Sequence, residues 1–304
     1  MTTATDAASP GATAPASRLE RVPAPALVIG AIVSVQVGAG IGRRLFDDLG
    51  AAGVTLLRVG LAAITLLVVL RPRVDSWSGS AWRAAALLGA TMAAMNLVFY
   101  QALRTVPLGV AVTVEFLGPL LLSLVQTRRL LDLGWALLAA GGVALLGLDS
   151  ASGVPLSGLA LAFLAGLFWA AYILASANLG QAVPGVDGLA VALGVATVIA
   201  LPFGLGGASA VLDQPSILVP AAGVALLSSV IPYGFELVAL RRIPTQVFGV
   251  LMSLEPAAAA LAGLMVLGQS LGPREMVAVG LVSLASGGIT LARRNGGAPL
   301  QPLE

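Results

Sequence analysis

Residues 102–119, ALRTVPLGVAVTVEFLGP, are answered by residues 239–256, ALRRIPTQVFGVLMSLEP. The shared frame is A-L-R-x-[VI]-P with a second proline twelve residues on: Pro107 and Pro119 in the first copy, Pro244 and Pro256 in the second. The register shift is 137 residues, close to half of the 304-residue chain. Each copy crosses the junction between two long apolar stretches, so the nature of those stretches decides the fold.

Around them the chain is 58% hydrophobic and only 10% charged, with 37 glycines, and its mean hydropathy is +0.98. Soluble domains carry about 25% charged residues. A folded chain of this length still exposes about a quarter of its unfolded surface, which this composition cannot make polar. A water-soluble fold is excluded. The chain has no cysteine and no histidine, and all 16 of its basic residues are arginine. Zinc, iron–sulfur and thiolate sites lose their usual ligands. Cysteine nucleophiles, histidine bases, lysine Schiff bases and a Walker-A lysine are absent as well. No metal or cofactor is expected, and a side-chain proton carried near neutral pH rides on one of the 14 Asp and Glu. A net charge of +2 would hint at nucleic acid in a soluble protein, but these arginines come in ones and twos, which suits membrane topology.

A bilayer core about 30 Å thick needs about 20 apolar residues per helix. Breaks at charges and turn residues predict ten helices, near 24–42, 51–70, 83–103, 107–126, 131–148, 156–178, 187–206, 216–240, 245–268 and 272–292. Residues 1–23 read as a disordered tail, with no basic run before an apolar core to mark a signal peptide, and 294–304 as a second tail. An even number of helices puts both termini on one side. That side collects eleven arginines against four on the other, with Arg58 inside a span. The positive-inside rule then places both termini in the cytoplasm.

Each half, 24–150 and 151–293, holds five helices, an odd number, so the second half enters from the opposite face. The expected fold is an all-α polytopic membrane protein: ten transmembrane helices as two inverted five-helix repeats around a central cavity, the architecture of many secondary transporters. Pro119, Pro232 and Pro256 each free a carbonyl four residues upstream, which a span tolerates where its backbone lines a cavity.

The polar residues within spans are the site candidates. Glu115 and Glu255 each sit near mid-depth, one in each half. A carboxylate there costs several kcal/mol unless it faces a wet cavity or a partner, and a group that sheds its charge by taking a proton suits a reversible proton carrier. The plain alternative is a structural hydrogen bond between helices. Glu236 lies five residues before Arg241, which leaves a snorkelling ion pair and a cavity role equally open. Arg58 enters its span about 10 Å below the edge, by 1.5 Å rise per residue. It can snorkel, hold a substrate carboxylate or pair with a buried Glu. Asn96 with Tyr100, and Trp169 with Tyr172, share helix faces by their spacing. Gln36 is the strongly polar side chain of the first span, and Tyr233 follows Pro232. Together these groups suit a ligand that is small, polar and zwitterionic. Gly38, Gly40 and Gly42, or Gly141 and Gly142, read as close helix packing.

The segment NLVFYQALRTVPLGVAVTVEFLGPLLLSL (96–124) resembles the first-half signature of EamA-type carriers in the drug/metabolite transporter superfamily, and is most similar to the threonine/homoserine exporters among them. IPYGFELVALRRIPTQVFGVLMSLEPAAAALAGLMVLGQ (231–269), the GVTLLRVGLA run around Arg58 and the LFWAAYILAS run around Trp169 agree. The resemblance extends from about residue 25 to 293. It implies export of small amino acids or related metabolites across the inner membrane, by exchange with protons. It highlights Arg58, Asn96, Tyr100, Glu115, Trp169, Tyr172, Tyr233, Glu236 and Glu255. One departure stands out. Where the family often has Leu-Gly-Glu ending the ninth span, this chain has Leu267, Gly268 and Gln269.

The expectation is therefore a proton-coupled exporter of small neutral amino acids, with a small-molecule substrate, protons and the lipid bilayer as its partners and no nucleic acid. Its rivals are an EamA-type exporter of other metabolites or drugs, a non-transporting scaffold and, least supported by the residue types present, an intramembrane enzyme.

Overall fold

The computed structural model describes residues 22–126, 130–147, 154–183, 186–240 and 242–294. The two predicted tails, apart from Val22 and Pro23 of the first and Arg294 of the second, and the arginines at 128, 129 and 241 lie outside them.

Among the described residues every regular element is a helix. In chain order the helices are α1 (Ala24–Arg44), α2 (Phe46–Leu70), α3 (Gly79–Ala102), α4 (Leu108–Glu115), α5 (Leu117–Gln126), α6 (Leu130–Gly147), α7 (Leu156–Ala182), α8 (Asp187–Ala208), α9 (Ala210–Asp213), α10 (Leu218–Ala225), α11 (Ile231–Leu240), α12 (Thr245–Met252), α13 (Glu255–Leu267) and α14 (Pro273–Arg294). Eight helical stretches are long and apolar enough to cross a membrane: α1, α2, α3, α4 with α5, α7, α8, the run from Pro215 to Leu240, and Val247–Leu267. The other two predicted positions hold α6 and α14. Large apolar side chains such as Val69, Val125, Leu137, Phe203 and Met265 stand exposed. Water would not tolerate so extensive an apolar surface, whereas lipid covers it. The protein is a multi-pass membrane protein.

Several ends differ from the sequence expectation for local reasons. A helical turn precedes the predicted start of the second span: Phe46–Leu49, which carries Asp47 and Asp48, is set off from the span by a kink at Gly50, φ 65° and ψ 164°, so the apolar helix proper starts at Ala51. Ser78 caps α3 by accepting from the Ala81 amide at 3.2 Å, which starts it at Gly79.

The prolines act where they were expected to, but the helix yields at positions set by packing. Pro119 frees the Glu115 carbonyl, and the helix breaks at Phe116 between α4 and α5. That carbonyl lies against Gly166 of α7, while the Gly166 carbonyl lies against Gly118, so a Cβ at either glycine would collide with backbone. Pro232 frees the Ser228 carbonyl beside a π-helical turn, Leu226–Val230, that joins α10 to α11. Pro256 frees the Met252 carbonyl, and Ser253–Leu254 separate α12 from α13. Pro202, a further proline, sits inside α8 without breaking it.

The most extensive helix pairings join a helix before residue 150 to one after it: α2 with α8, α3 with α7 and α8, α6 with α14, α1 with α11 and α13, and α4 with α13. Gly38, Gly40 and Gly42 bring α1 against the Ser228 turn, Val266 and Tyr100, and Gly142 brings α6 against α14, whereas Gly141 faces open space. Three buried apolar clusters result. One spans both halves at the end of the bundle that carries the α3–α4 turn, and includes Ala39, Phe46, Leu103, Val106, Leu108 and Ala221. Toward the other end the packing divides. One cluster there is built on α2, α3, α7 and α8, the other on the start of α1 with Ala239.

Candidate functional site

The site candidates gather where the three broken helices meet α1, α2, α3 and α7. Glu115 is the last residue of α4 and Glu255 the first of α13, and both are buried. The two carboxyls are electrostatic neighbours, and Arg58 is the positive charge acting on Glu115. Glu236 stands near Glu255 on the other side. Gln36, 3% exposed on α1, lies near enough to the Glu255 carboxyl to act on it. The second oxygen of that group, Oε2, is buried and has no hydrogen-bond partner among the described residues. A buried carboxylate oxygen without a donor is costly, since burial removes its water without replacing it.

Arg58 does not snorkel. Its Nη2 donates to the Ser228 carbonyl at 2.8 Å, its Nη1 to the Tyr100 hydroxyl at 3.4 Å and its Nε to Ser229 Oγ at 3.4 Å. Its guanidinium carbon also lies 5.5 Å from the Tyr100 ring centroid, a cation–π contact. The arginine thus fills the place of the amide that Pro232 lacks and holds the π turn open. A guanidinium has five N–H groups, and three of those of Arg58 are engaged. Ser34 supports the same turn by donating to the Leu227 carbonyl at 2.7 Å.

Tyr100 is fully buried, and Asn96 is spent in part on its own helix, donating to the Met92 carbonyl at 2.8 Å. Trp169 packs edge-on against Phe116, centroids 4.9 Å apart, and so props the α4–α5 break. Tyr172 hydrogen-bonds Tyr233 and Ser176, and Tyr233 is close enough to feel Arg58 and Glu236. Tyr172, Tyr233 and Glu236 are half-buried, whereas Gln36, Arg58, Tyr100, Glu115 and Glu255 are buried. Exposure therefore rises from the carboxyl pair toward the end of the bundle where the packing divides. The ion pair considered for Glu236 involves Arg241, which lies outside the described residues.

A separate cleft of about 600 Å³ opens at the opposite end, lined in part by Arg43, Asp47, Asp48, Gln101 and Arg104. None of the predicted site residues lines it. Three residues that the sequence reading passed over belong to the site: Ser228, Ser229 and Phe116. The serines had a visible signal, two adjacent hydroxyls four and three residues before a proline inside an apolar run. Phe116 had none.

This arrangement fits a carrier for a small charged-yet-neutral solute: one fixed cation, several carboxyls and hydroxyl-bearing rings, enclosed among helices that bend. Comparison with known proteins agrees. The family model for the EamA-like transporter family matches residues 156–291. The threonine/homoserine exporter RhtA of Escherichia coli (strain K12) is 39% identical over 271 residues, covering 88% of this chain and 91% of its own. RhtA of Salmonella typhimurium (strain LT2) is 40% identical over 267 residues, covering 87% and 90%. A solved crystal structure of a protein at 17% identity shares the fold, with a TM-score of 0.59, covering 90% of this chain and 99% of its own. Those relatives are exporters and not enzymes, and at this identity over nearly their full length the chain belongs to the EamA-like transporter family.

Proposed function

We propose that the protein exports small neutral amino acids of the threonine/homoserine type across the inner membrane in exchange for protons. It does so through ten helices arranged as two inverted five-helix halves, with both termini in the cytoplasm. The observation that carries this reading is the unpartnered Glu255 Oε2 near Gln36 and Glu115, with Arg58 acting on Glu115, in a chain whose relatives are threonine/homoserine exporters. The helix pairing supports the inverted halves. Renaming each span by its counterpart five spans on turns α3-on-α7 into α11-on-α1, and leaves α2-on-α8, α4-on-α13 and α6-on-α14 unchanged as pairs.

In the cycle, Glu255 Oε2 receives the substrate ammonium, and the two uncommitted N–H groups of Arg58 take its carboxylate. Tyr172, Tyr233 and Glu236 line the way in from the cytoplasm. Asn96 and Tyr100 back the pocket, and Trp169 closes it beside Phe116. Glu115 is the proton site. Substrate loading expels its proton inward, and a proton entering from outside displaces the substrate outward. The bends at Pro119, Pro232 and Pro256 let the halves rock about the site.

Counterflow in proteoliposomes across an amino-acid panel, with and without a pH gradient, tests this. Exchange of threonine and homoserine accelerated by the gradient is the expected result. Exchange of drugs or other metabolites alone sinks the amino-acid assignment, and no solute flux at all favours a scaffold. If a Glu115→Gln protein keeps full proton-driven transport, the proton role of Glu115 is dead.

A further inference from the structure

The α3–α4 turn is gripped from two sides by side chains from distant parts of the chain. Arg43, at the end of α1, donates through Nε to the Leu103 carbonyl at 2.7 Å and through Nη2 to the Arg104 carbonyl at 3.5 Å. Gln269, beyond the end of α13, accepts from the Leu108 amide at 3.0 Å, a bond that joins residues 161 apart. The geometry of that second bond is built. Gly268 takes a left-handed conformation, φ 67°, that ends α13, and the Gln269 amide turns back to the Gly263 carbonyl at 3.0 Å. The side chain is thereby aimed at the start of α4, whose preceding residue is Pro107, with no side chain of its own able to cap. A first-turn amide has no partner within its helix, so an acceptor from elsewhere is needed. Because Leu108 N–H can only donate, the Gln269 oxygen must face it.

We propose that Gln269 is the positioning residue that keeps the outer end of the carrier shut, and that this bond must break each time the site opens outward. Two further observations agree. The apolar cluster at this end joins both halves, with Ala39, Phe46, Leu103, Val106 and Leu108 from the first and Ile217, Ala221 and Ala262 from the second, whereas packing toward the other end is divided between two clusters. The bond also fastens the half-helix that carries Glu115 at its far end to the loop that follows α13, which begins with Glu255. The inference rests on the alternating access and sidedness of the proposed function.

The chain has no cysteine, so single-cysteine reporters carry no background. Ala39→Cys reports on the outer cluster and Ala85→Cys on the divided end; both alanines are buried. Labelling by an impermeant maleimide is followed in right-side-out membrane vesicles, alone and with Gln269 variants. Gln269→Ala should speed labelling of the Ala39→Cys reporter about two- to tenfold, the factor one hydrogen bond's net worth sets on an equilibrium. The Ala85→Cys reporter should not change. Gln269→Glu keeps an acceptor for the Leu108 amide and should label like the parent. Should the alanine variant fail to insert, Gln269→Ser, whose hydroxyl stops short of α4, makes the same comparison. No acceleration, equal acceleration in Gln269→Glu, or equal acceleration at both reporters overturns the proposal. Counterflow on the same vesicles separates the two readings. A parent without amino-acid exchange sinks the cargo assignment and leaves the labelling result standing. A Gln269-dependent rise in everted vesicles alone supports the latch and overturns the sidedness.

Discussion

Pro107 and Pro244 have nearly the same backbone angles, φ −56° with ψ 144° and φ −57° with ψ 142°, and each starts a helix of eight residues, α4 and α12. Beyond that the two copies part. The first breaks over one residue, Phe116, flanked by the backbone contacts of Glu115 and Gly118 to Gly166 and met edge-on by Trp169. The second breaks over two, Ser253 and Leu254, where Ser253 Oγ bonds back to the Val250 carbonyl at 2.6 Å and Gly287 lies beside it. Counted by the 137-residue shift, Glu115 corresponds to Met252 and Glu255 to Gly118. The carboxyls are thus offset by about one helical turn, one before its break and one after it. A helix end presents carbonyl oxygens and a helix start presents amides. One proline frame has therefore put two carboxyls in opposite surroundings, which supports giving them different tasks.

If that division of labour holds, Glu255→Gln is the most damaging exchange. Losing a charged hydrogen bond to the substrate ammonium, about 1.5–3 kcal/mol, should raise the half-saturating threonine concentration roughly ten- to a hundredfold in counterflow. Glu115→Gln should break the symmetry in the other direction. Exchange without a gradient persists within about threefold, while acceleration by an imposed pH gradient disappears. Identical phenotypes for the two variants would dissolve the distinction.

The packing of the breaks gives the next contrast. Gly166→Ala places a methyl against the Glu115 carbonyl and should cost about 1–3 kcal/mol, read as a lower thermal midpoint in detergent. Gly287→Ala meets only the Ser253 side chain, at 3.2 Å, and should change the midpoint by less than about 0.5 kcal/mol of stability. The smallest effect is expected for Ser253→Ala. It removes one local hydrogen bond, in membranes worth about 0.6 kcal/mol on average, and should leave exchange intact. A larger loss would mean that the second break, too, is held by packing.

Much of this was legible before any coordinates. Apolar runs between charges located the helices to within a few residues, because each span in lipid satisfies its hydrogen bonds locally. Asp47 and Asp48 ended the apolar run, and they lie in a separate helical turn before the kink at Gly50, so the second span starts where the run does. The prolines marked three bends and were silent about Pro202. A proline removes one hydrogen bond, but whether the helix opens depends on what the freed carbonyl finds. For Pro232 that partner is Arg58, 170 residues away from Ser228. For Pro119 it is the bare backbone of Gly166.

Composition by itself determined that the chain lives in a membrane, that its chemistry excludes thiols, imidazoles and lysine, and that few charges lie at depth. Those conclusions follow from solvation, a property each residue carries wherever it goes. Only the tertiary structure decided that Gln36 meets Glu255, that Arg58 braces a broken helix and that Gln269 caps α4. Such partnerships depend on the rotation and register of helices far apart in the chain, and pairwise packing sets those, not the hydropathy of either helix.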